Sequence, residues 1–256
     1  MDYYRNFSPK AEIYAIYRWN YHPEAIAEMC QLAGVRKNSV VADIGSGTGM
    51  LTSSLLPKVK RVYAIEPNAE MRAIAVRNLA HDPAFISVNA LASTTTLPDN
   101  CIDLIAVGRA IHWFNRETVS IEFRRILKPN GWLAICQVPC EDSELLEAVK
   151  RLKKKEYGWN IAEDKFQLTK DTSLIADYFH DSNYKTIKCS SVAKENWQEF
   201  MGRMCSISAA PNTDNPLLSK FEAEVKKIFE HRSSQGILTI KNATVIKLGK
   251  LNLENL

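Results

Sequence analysis

The chain has 256 residues, of which 46% are hydrophobic and 24% are charged, a balance typical of a globular protein with a buried core. Its net charge of +4 is too small to predict the basic surface of a nucleic-acid-binding protein, and the short basic run RLKKKE at 151–156 fits the solvated face of a helix. The sequence has neither an apolar run long enough for a membrane-spanning helix nor an N-terminal signal segment. Because the six cysteines form no CxxC pair, we expect no metal site and a reducing, cytoplasmic location.

The first half of the chain alternates short apolar runs with amphipathic segments. A helix is predicted at 23–33, where Pro23 suits the first turn and Gly34 follows the last. The β-branched, apolar runs then predict five strands, within 39–45, 61–67, 85–90, 101–108 and 131–138. Helical spacing is found between the strands at 48–56, 68–80 and 115–127. This alternation predicts a mostly parallel sheet that helices cover on both faces.

After Pro139 the pattern changes. Two further strands are predicted at 184–192 and 236–251, and two amphipathic helices at 197–205 and 216–229. The sequence has no internal repeat and no low-complexity linker, so we expect a single domain over 1–256. We divide it into an N-terminal helical flap (1–35), a cofactor-binding core (36–139) and a C-terminal part with a helical lid (140–256).

The stretch VADIGSGTGM at 41–50 predicts a nucleotide-binding loop between a strand and a helix, with glycines at every second position. Its third glycine is one position too early for the dinucleotide fingerprint G-x-G-x-x-G, which would place a glycine at Met50. Asp43 would repel a pyrophosphate but suits an ammonium or sulfonium group. Glu66 ends the second strand, where an acidic residue accepts both ribose hydroxyls. S-adenosylmethionine fits this description, and a dinucleotide-dependent oxidoreductase is the weaker alternative.

Several segments are similar to one family. VADIGSGTG resembles motif I of class I S-adenosylmethionine-dependent methyltransferases, and VYAIEPN resembles the ribose-binding motif that follows it. LPDNCIDLIAVGRAIHWF and FRRILKPNGWLAI resemble later motifs of the methyltransferase type 11 branch. FSPKAEIYAIYRWNYHP and WQEFMGRMCSISAAP resemble the N-terminal segment and the lid of its trans-aconitate-methyltransferase-like subgroup. The resemblance implies an α/β, Rossmann-like fold of seven strands in the order 3-2-1-4-5-7-6, with strand 7 antiparallel.

The resemblance also implies a cofactor site. It places the methionine moiety of the cofactor at Asp43, Gly45, Ser46 and Gly47, and the ribose at Glu66. The backbone at Pro67 and Asn68 falls close to the adenine, as do Ala92 and Ser93. Relatives often carry an acidic residue at the position of Ser93, so this chain departs from the pattern there. It also lacks the proline that normally follows Arg18.

Other candidate residues each have two interpretations. His112 follows strand 4 and is either a general base or a residue that only shapes the pocket. Arg109 either holds a carboxylate of the cofactor or acceptor, or forms a salt bridge with a nearby acid. Tyr14, Tyr17 and Arg18 either close over the cofactor or pack as an ordinary amphipathic helix.

The acceptor pocket is predicted from apolar residues. Trp113 is a candidate pocket residue, although packing explains it as well. The apolar face of 197–205 is either core or the wall of an acceptor pocket, with Trp197, Met201 and Met204 as its candidate residues. The expected function is methyl transfer to an oxygen or nitrogen of a small, partly hydrophobic metabolite. The alternative is a cofactor-binding partner protein without catalysis of its own.

Overall fold

The computed structural model describes residues 8–155, 175–208 and 210–252. Residues 1–7 of the predicted flap and Glu156 of the basic run lie outside these ranges. The helices are α1 (Ala11–Tyr17), α2 (Pro23–Leu32), α3 (Met50–Leu55), α4 (Ala69–Leu79), α5 (Arg116–Ile126), α6 (Ser143–Lys155), α7 (Trp197–Cys205) and α8 (Leu218–Arg232). The strands are β1 (Val40–Ile44), β2 (Arg61–Ile65), β3 (Phe85–Val88), β4 (Ile102–Gly108), β5 (Leu127–Gln137), β6 (Phe179–Glu195) and β7 (Leu238–Leu251).

The strands form one seven-stranded sheet in the order β3-β2-β1-β4-β5-β7-β6, which confirms the predicted order. Strands β1 to β5 are parallel, and β7 is antiparallel to both of its neighbours. In the centre of the sheet, Asp43 of β1 lies opposite Ala64 of β2 and Ala106 of β4. The carboxyl ends of β1, β2 and β4 therefore meet at one edge, the usual position of a ligand in an open α/β sheet.

Short-range signals explain most element boundaries. Asn68 caps α4 by accepting a 2.8 Å hydrogen bond from the Met71 N–H, and Asn115 caps α5 in the same way through Thr118. Helix α3 begins at Met50, two residues later than predicted, because the loop that follows β1 extends to residue 49. Strand β6 is longer than the predicted 184–192 because Phe179 and all of residues 184–195 pair with β7, and this pairing was not visible locally.

Apolar side chains form a core on each face of the sheet. One cluster joins the sheet to α2, α3 and α4, and a second joins it to α5. A third cluster lies among α6, α7, α8 and the start of β7. None of the helices in the described ranges combines the length and the apolar composition that crossing a membrane requires.

Candidate functional site

A cavity of about 350 Å³ opens at the carboxyl ends of β1, β2 and β4. Ten of the predicted site residues line it: Tyr14, Gly45, Gly47, Glu66, Pro67, Asn68, Ala92, Ser93, Arg109 and Trp113. The other described residues that line it are Met71, Leu91, Gly108, Ala110, Phe114, Asn115, Thr118 and Val119. Glu66 and Arg109 are the two charged residues in this lining, so the cavity offers one anionic and one cationic side chain to a ligand.

The glycine loop is fixed to the end of β2. The backbone N–H groups of Gly45 and Ser46 both donate to the Ile65 carbonyl, at 2.9 and 3.0 Å. Gly45 has a φ of +70°, and a Cβ added there would lie 2.6 Å from the Ala110 Cβ. A larger residue would therefore strain the backbone and push the loop away from the segment that follows β4.

Glu66 has a buried carboxylate that the backbone orients on both sides. Its Oε2 accepts a hydrogen bond from the Gly47 N–H at 2.8 Å, and its Oε1 accepts one from the Asn68 N–H at 2.8 Å. Burial raises the pKa of this carboxyl, while the two N–H groups act in the opposite direction. Each oxygen keeps a second acceptor direction, so the carboxylate is able to accept two ligand hydroxyls without losing its backbone bonds.

Asp43 lies at the end of β1 and is completely buried. Its Oδ2 accepts a 2.6 Å hydrogen bond from the Thr52 hydroxyl, whereas its Oδ1 has no hydrogen-bond partner among the described residues. Burial raises the pKa of Asp43 to about 7, and the nearby charge of Glu66 adds to the rise. A buried carboxylate oxygen without a donor is costly, and a bound cation would offset that cost. Asp43 does not itself line the cavity.

Arg109 follows β4 directly, with a left-handed backbone (φ +60°) that is unusual for a residue other than glycine. Its Nη1 donates to the Trp19 carbonyl at 3.0 Å, and its Nη2 lies 3.0 Å from the Met50 sulfur. Its buried Nε has no hydrogen-bond partner in the described ranges. No salt bridge between Arg109 and an acid is found within those residues, and the carboxylate-binding interpretation stays a prediction.

Tyr14 of α1 lies between two arginines. The Arg18 and Arg109 guanidinium carbons lie 5.1 and 5.4 Å from the centroid of its ring, within the range of a cation–π contact. Burial lowers the pKa of Arg18 to about 10, so this arginine is still charged at neutral pH. Arg18 donates to the Ser206 carbonyl at 3.2 Å and does not line the cavity.

Helix α1 connects the core to the C-terminal helices. On the core side, Ser8 donates to Glu70 of α4 at 2.7 Å and accepts from the Asn68 amide at 3.0 Å. On the other side, the Lys10 ammonium donates to the Ala210 carbonyl and, at 2.8 Å, to the Ile207 carbonyl. These contacts hold α1 against both α4 and the segment that follows α7.

The ring of Tyr17 packs directly on Gly202 of α7. A Cβ added at Gly202 would lie only 2.4 Å from a Tyr17 ring carbon. This close approach makes the α1–α7 contact dependent on a glycine in the middle of a helix.

His112 lies in a 3₁₀ turn, Ile111–Trp113, that follows β4. Its ring centroid is 4.9 Å from that of Trp113, which lines the cavity, whereas His112 itself does not. Ser46 is also outside the lining, although the loop that carries it borders the cavity.

Trp197, Met201 and Met204 lie away from the cavity, in the cluster formed by α6, α7 and α8. The Trp197 ring packs against Phe229 at 5.6 Å, and Met204 is 1% exposed. The apolar face of α7 is therefore used as core, which is the first of the two interpretations that its sequence allowed. Helical periodicity identified this face but not the helix that covers it.

Sequence reasoning missed several wall residues of the cavity, including Met71, Phe114 and Val119. Met71 and Val119 lie on helices that were predicted correctly, and Phe114 lies just before α5; nothing in these residue types distinguishes a cavity wall from an ordinary core position. Thr52, the partner of Asp43, carried no signal either, since a threonine within a helix is common.

Comparison with known proteins agrees with this geometry. Residues 42–135 match the type 11 family model described as "Methyltransferase domain". This match covers nearly all of the five parallel strands, whose carboxyl ends border the cavity, so residues 42–135 are similar to methyltransferases of this family.

The curated proteins that this chain resembles are distant. An uncharacterized methyltransferase of Schizosaccharomyces pombe is 28% identical over 132 residues, which is 51% of this chain and 51% of that protein. One of Mycobacterium bovis is 33% identical over 118 residues, 46% of each chain. The matches thus span about half the length of these curated relatives. The structure of a methyltransferase from Thiobacillus denitrificans in complex with S-adenosyl-L-homocysteine aligns with a TM-score of 0.55 at 15% identity, covering 96% of this chain and 98% of that one. At this identity the likeness shows the fold.

Proposed function

We propose that the chain binds S-adenosylmethionine in the cavity and transfers its methyl group to a small acceptor molecule. The observation that carries this proposal is the Glu66 carboxylate, buried at the cavity and oriented through both oxygens by the N–H groups of Gly47 and Asn68. A doubly anchored carboxylate at the end of β2 suits the two hydroxyls of a ribose. The presence of S-adenosyl-L-homocysteine in the Thiobacillus denitrificans methyltransferase, which shares this fold, is consistent with it.

The remaining residues would divide the cofactor among them. We assign the adenine to four residues that line the cavity. Pro67 and Asn68 directly follow Glu66 in the chain, and Ala92 and Ser93 lie on the loop that follows β3. The methionine moiety would be held by Gly45, Ser46 and Gly47, and by Asp43, which precedes them in the chain. Arg109 would bind the carboxylate of that moiety. Arg18 and Tyr14 would then hold the N-terminal flap over the bound cofactor.

Binding is tested by calorimetry on the purified chain with S-adenosylmethionine, S-adenosylhomocysteine and NAD. We expect both adenosyl compounds to bind, and NAD to bind much more weakly, because Asp43 and the G-x-G-x-G spacing do not suit a pyrophosphate. Tighter binding of NAD would contradict the proposal and support the oxidoreductase alternative.

Methyl transfer requires little covalent help, since the sulfonium is already activated and the site must mainly align the acceptor and exclude water. We propose His112 as the base for an acceptor that enters beside Trp113. Its distance from the cavity lining does not exclude this role, because catalytic hydrogen bonds often form only with substrate bound.

The His112→Ala variant tests this role. As a base, His112 would account for roughly a 10²- to 10⁴-fold effect on turnover, with little effect on cofactor affinity. A loss of less than about threefold would show that His112 only supports Trp113 and that alignment carries the catalysis.

The acceptor is proposed to be a small, partly hydrophobic metabolite that is methylated on oxygen or nitrogen. An acid is one candidate, for which Arg109, the cationic side chain of the described lining, would hold the carboxylate of the acceptor in place of that of the cofactor. Because the net charge is only +4, we propose no nucleic-acid partner, and we retain the cytoplasmic location and the single domain over 1–256 as part of the proposal.

Acceptor chemistry is tested by incubating the chain with methyl-labelled S-adenosylmethionine and fractionated metabolites. Label that is released by mild alkali would indicate a methyl ester and support the acidic acceptor, whereas alkali-stable label would indicate a methyl ether or a methylated nitrogen. Cofactor binding without label transfer to any fraction would support the non-catalytic alternative.

A further inference from the structure

Three side chains with potential metal-ligating atoms lie close together where the start of α2 meets β6. None of them lines the cavity. His22 is the N-cap of α2, Glu24 lies in the first turn of that helix, and Cys189 lies in β6. Their ligand atoms all lie within 4.8 Å of one another. The His22 N–H donates to the Thr244 hydroxyl at 2.7 Å, and Thr244 of β7 is the register partner of Cys189, so the backbone holds His22 beside the cysteine.

We propose that His22, Glu24 and Cys189 form a binding site for Zn²⁺ or a similar divalent transition-metal ion. A nitrogen, a carboxylate oxygen and a thiolate sulfur are a donor set typical of Zn²⁺ and unsuited to Mg²⁺ or Ca²⁺, which prefer oxygen ligands. Modest rotations of these partly exposed side chains would bring the donors to metal-ligand distances of about 2.0–2.3 Å. Water would supply the fourth ligand.

The charges around the thiol favour a cation. The carboxylates of Glu24 and Glu28 both act on the Cys189 thiol, so their negative potential attracts a divalent ion. On binding, the thiol proton is released to solvent and the sulfur forms the bond to the metal.

Metal binding would cross-link two distant parts of the chain. Cys189 lies on the edge strand, and His22 lies between α1 and the body of α2. The existing hydrogen bond from the Glu24 N–H to His22 Nδ1 is 3.3 Å, long for such a bond, so the imidazole ring is held only loosely and is free to adjust. Because only the folded chain brings these residues together, the metal should stabilise the fold.

The test is a titration of the metal-free, reduced chain with Zn²⁺ against a chromophoric chelator, and a parallel titration with Co²⁺ followed by thiolate-to-metal absorption. We expect one ion per chain. Cys189→Ser should abolish the thiolate-to-Co²⁺ absorption and lower the affinity for Zn²⁺ at least tenfold. His22→Asn retains a good helix cap. It should lower the affinity for Zn²⁺ by a similar factor, with an unchanged circular dichroism spectrum that shows an intact fold.

Cys101→Ser is the matched control, because it removes another partly exposed thiol that lies outside the triad. It should bind Zn²⁺ like the unmodified chain. Equal Zn²⁺ affinity in Cys189→Ser, or no thiolate absorption with Co²⁺, would overturn the proposal. Since none of these residues lines the cofactor cavity, S-adenosylmethionine affinity should be the same in all variants, and the outcome is independent of the proposed methyl transfer.

Discussion

The cofactor cavity has two sides that are built in different ways. The loop side consists of residues 45–47 and Glu66, which follow two adjacent parallel strands and are joined through backbone N–H groups. The flap side consists of α1 with Tyr14, and it is held by side chains: Ser8 to α4, Lys10 and Arg18 to the carbonyls that follow α7, and Tyr17 against Gly202.

This difference has a functional consequence. The loop side cannot move without breaking the sheet, so its donors and acceptors are already in place before the ligand arrives. The flap side depends on a few side-chain contacts between chain segments that are distant in sequence, and such contacts break at a lower free energy than the core. We therefore expect the loop side to determine cofactor affinity and the flap side to determine access.

The largest expected effect is at Glu66. Glu66→Gln keeps the shape of the side chain but removes the charge that strengthens hydrogen bonds from ribose hydroxyls. The affinity for S-adenosylmethionine should fall by roughly 1.5–3 kcal/mol, about 10- to 150-fold, when measured by calorimetry. Glu230→Gln, which changes an exposed acid on α8 away from the cavity, is the control and should bind normally. Normal binding by a folded Glu66→Gln would remove this residue from the site.

A smaller effect is expected from the titration of Asp43, whose pKa burial raises to about 7. In the proposed site, the cationic groups of the cofactor would favour the charged form of Asp43, so affinity should be full above pH 7. As the pH falls below 7, the affinity should decrease, and well below that value the decrease should approach about tenfold for each pH unit. Asp43→Asn should bind weakly, without this dependence. An identical pH profile in that variant would show that another group titrates.

Asp43 should also affect folding. Because its pKa is higher in the folded chain than the usual 3.8, the carboxyl stabilises the fold at low pH. That contribution is lost as the pH rises through the folded value of about 7. Denaturant unfolding should therefore find Asp43→Asn more stable than the unmodified chain above pH 7 when no cofactor is present.

The smallest effect is expected on the flap side. Gly202→Ala introduces a methyl group where a Tyr17 ring carbon lies only 2.4 Å away, so α1 must shift away from α7. We expect cofactor affinity to fall by only about two- to fivefold, and the dissociation rate measured by stopped flow to rise by the same factor.

The double variant Tyr17→Ala, Gly202→Ala provides the control, because it removes the ring that the new methyl group meets. The two changes should be non-additive, with Gly202→Ala harmless in the Tyr17→Ala background. If Gly202→Ala weakened binding as much as Glu66→Gln, the distinction between the two sides of the cavity would not hold.

Sequence reasoning alone located most strands and helices of residues 36–139. The runs of 39–45 and 61–67 predicted β1 and β2, and the glycine spacing with Asp43 and Glu66 predicted the ligand-binding edge, because these signals are local. The order of the strands came from the resemblance to a family. The boundaries of α3 and β6 were less accurate, since tertiary pairing and loop closure decide where such elements begin and end.

What only the tertiary structure decided is which side chains from distant segments meet. Periodicity showed that Trp197, Met201 and Met204 share an apolar face, but only the packing of α7 against α8 showed that this face is core. The meeting of His22 with Cys189, and of Lys10 with the end of α7, depends on strand order and helix packing in the same way. A linear sequence records residue types and short spacings, whereas contacts between distant residues arise only when the sheet and its helices close around the core.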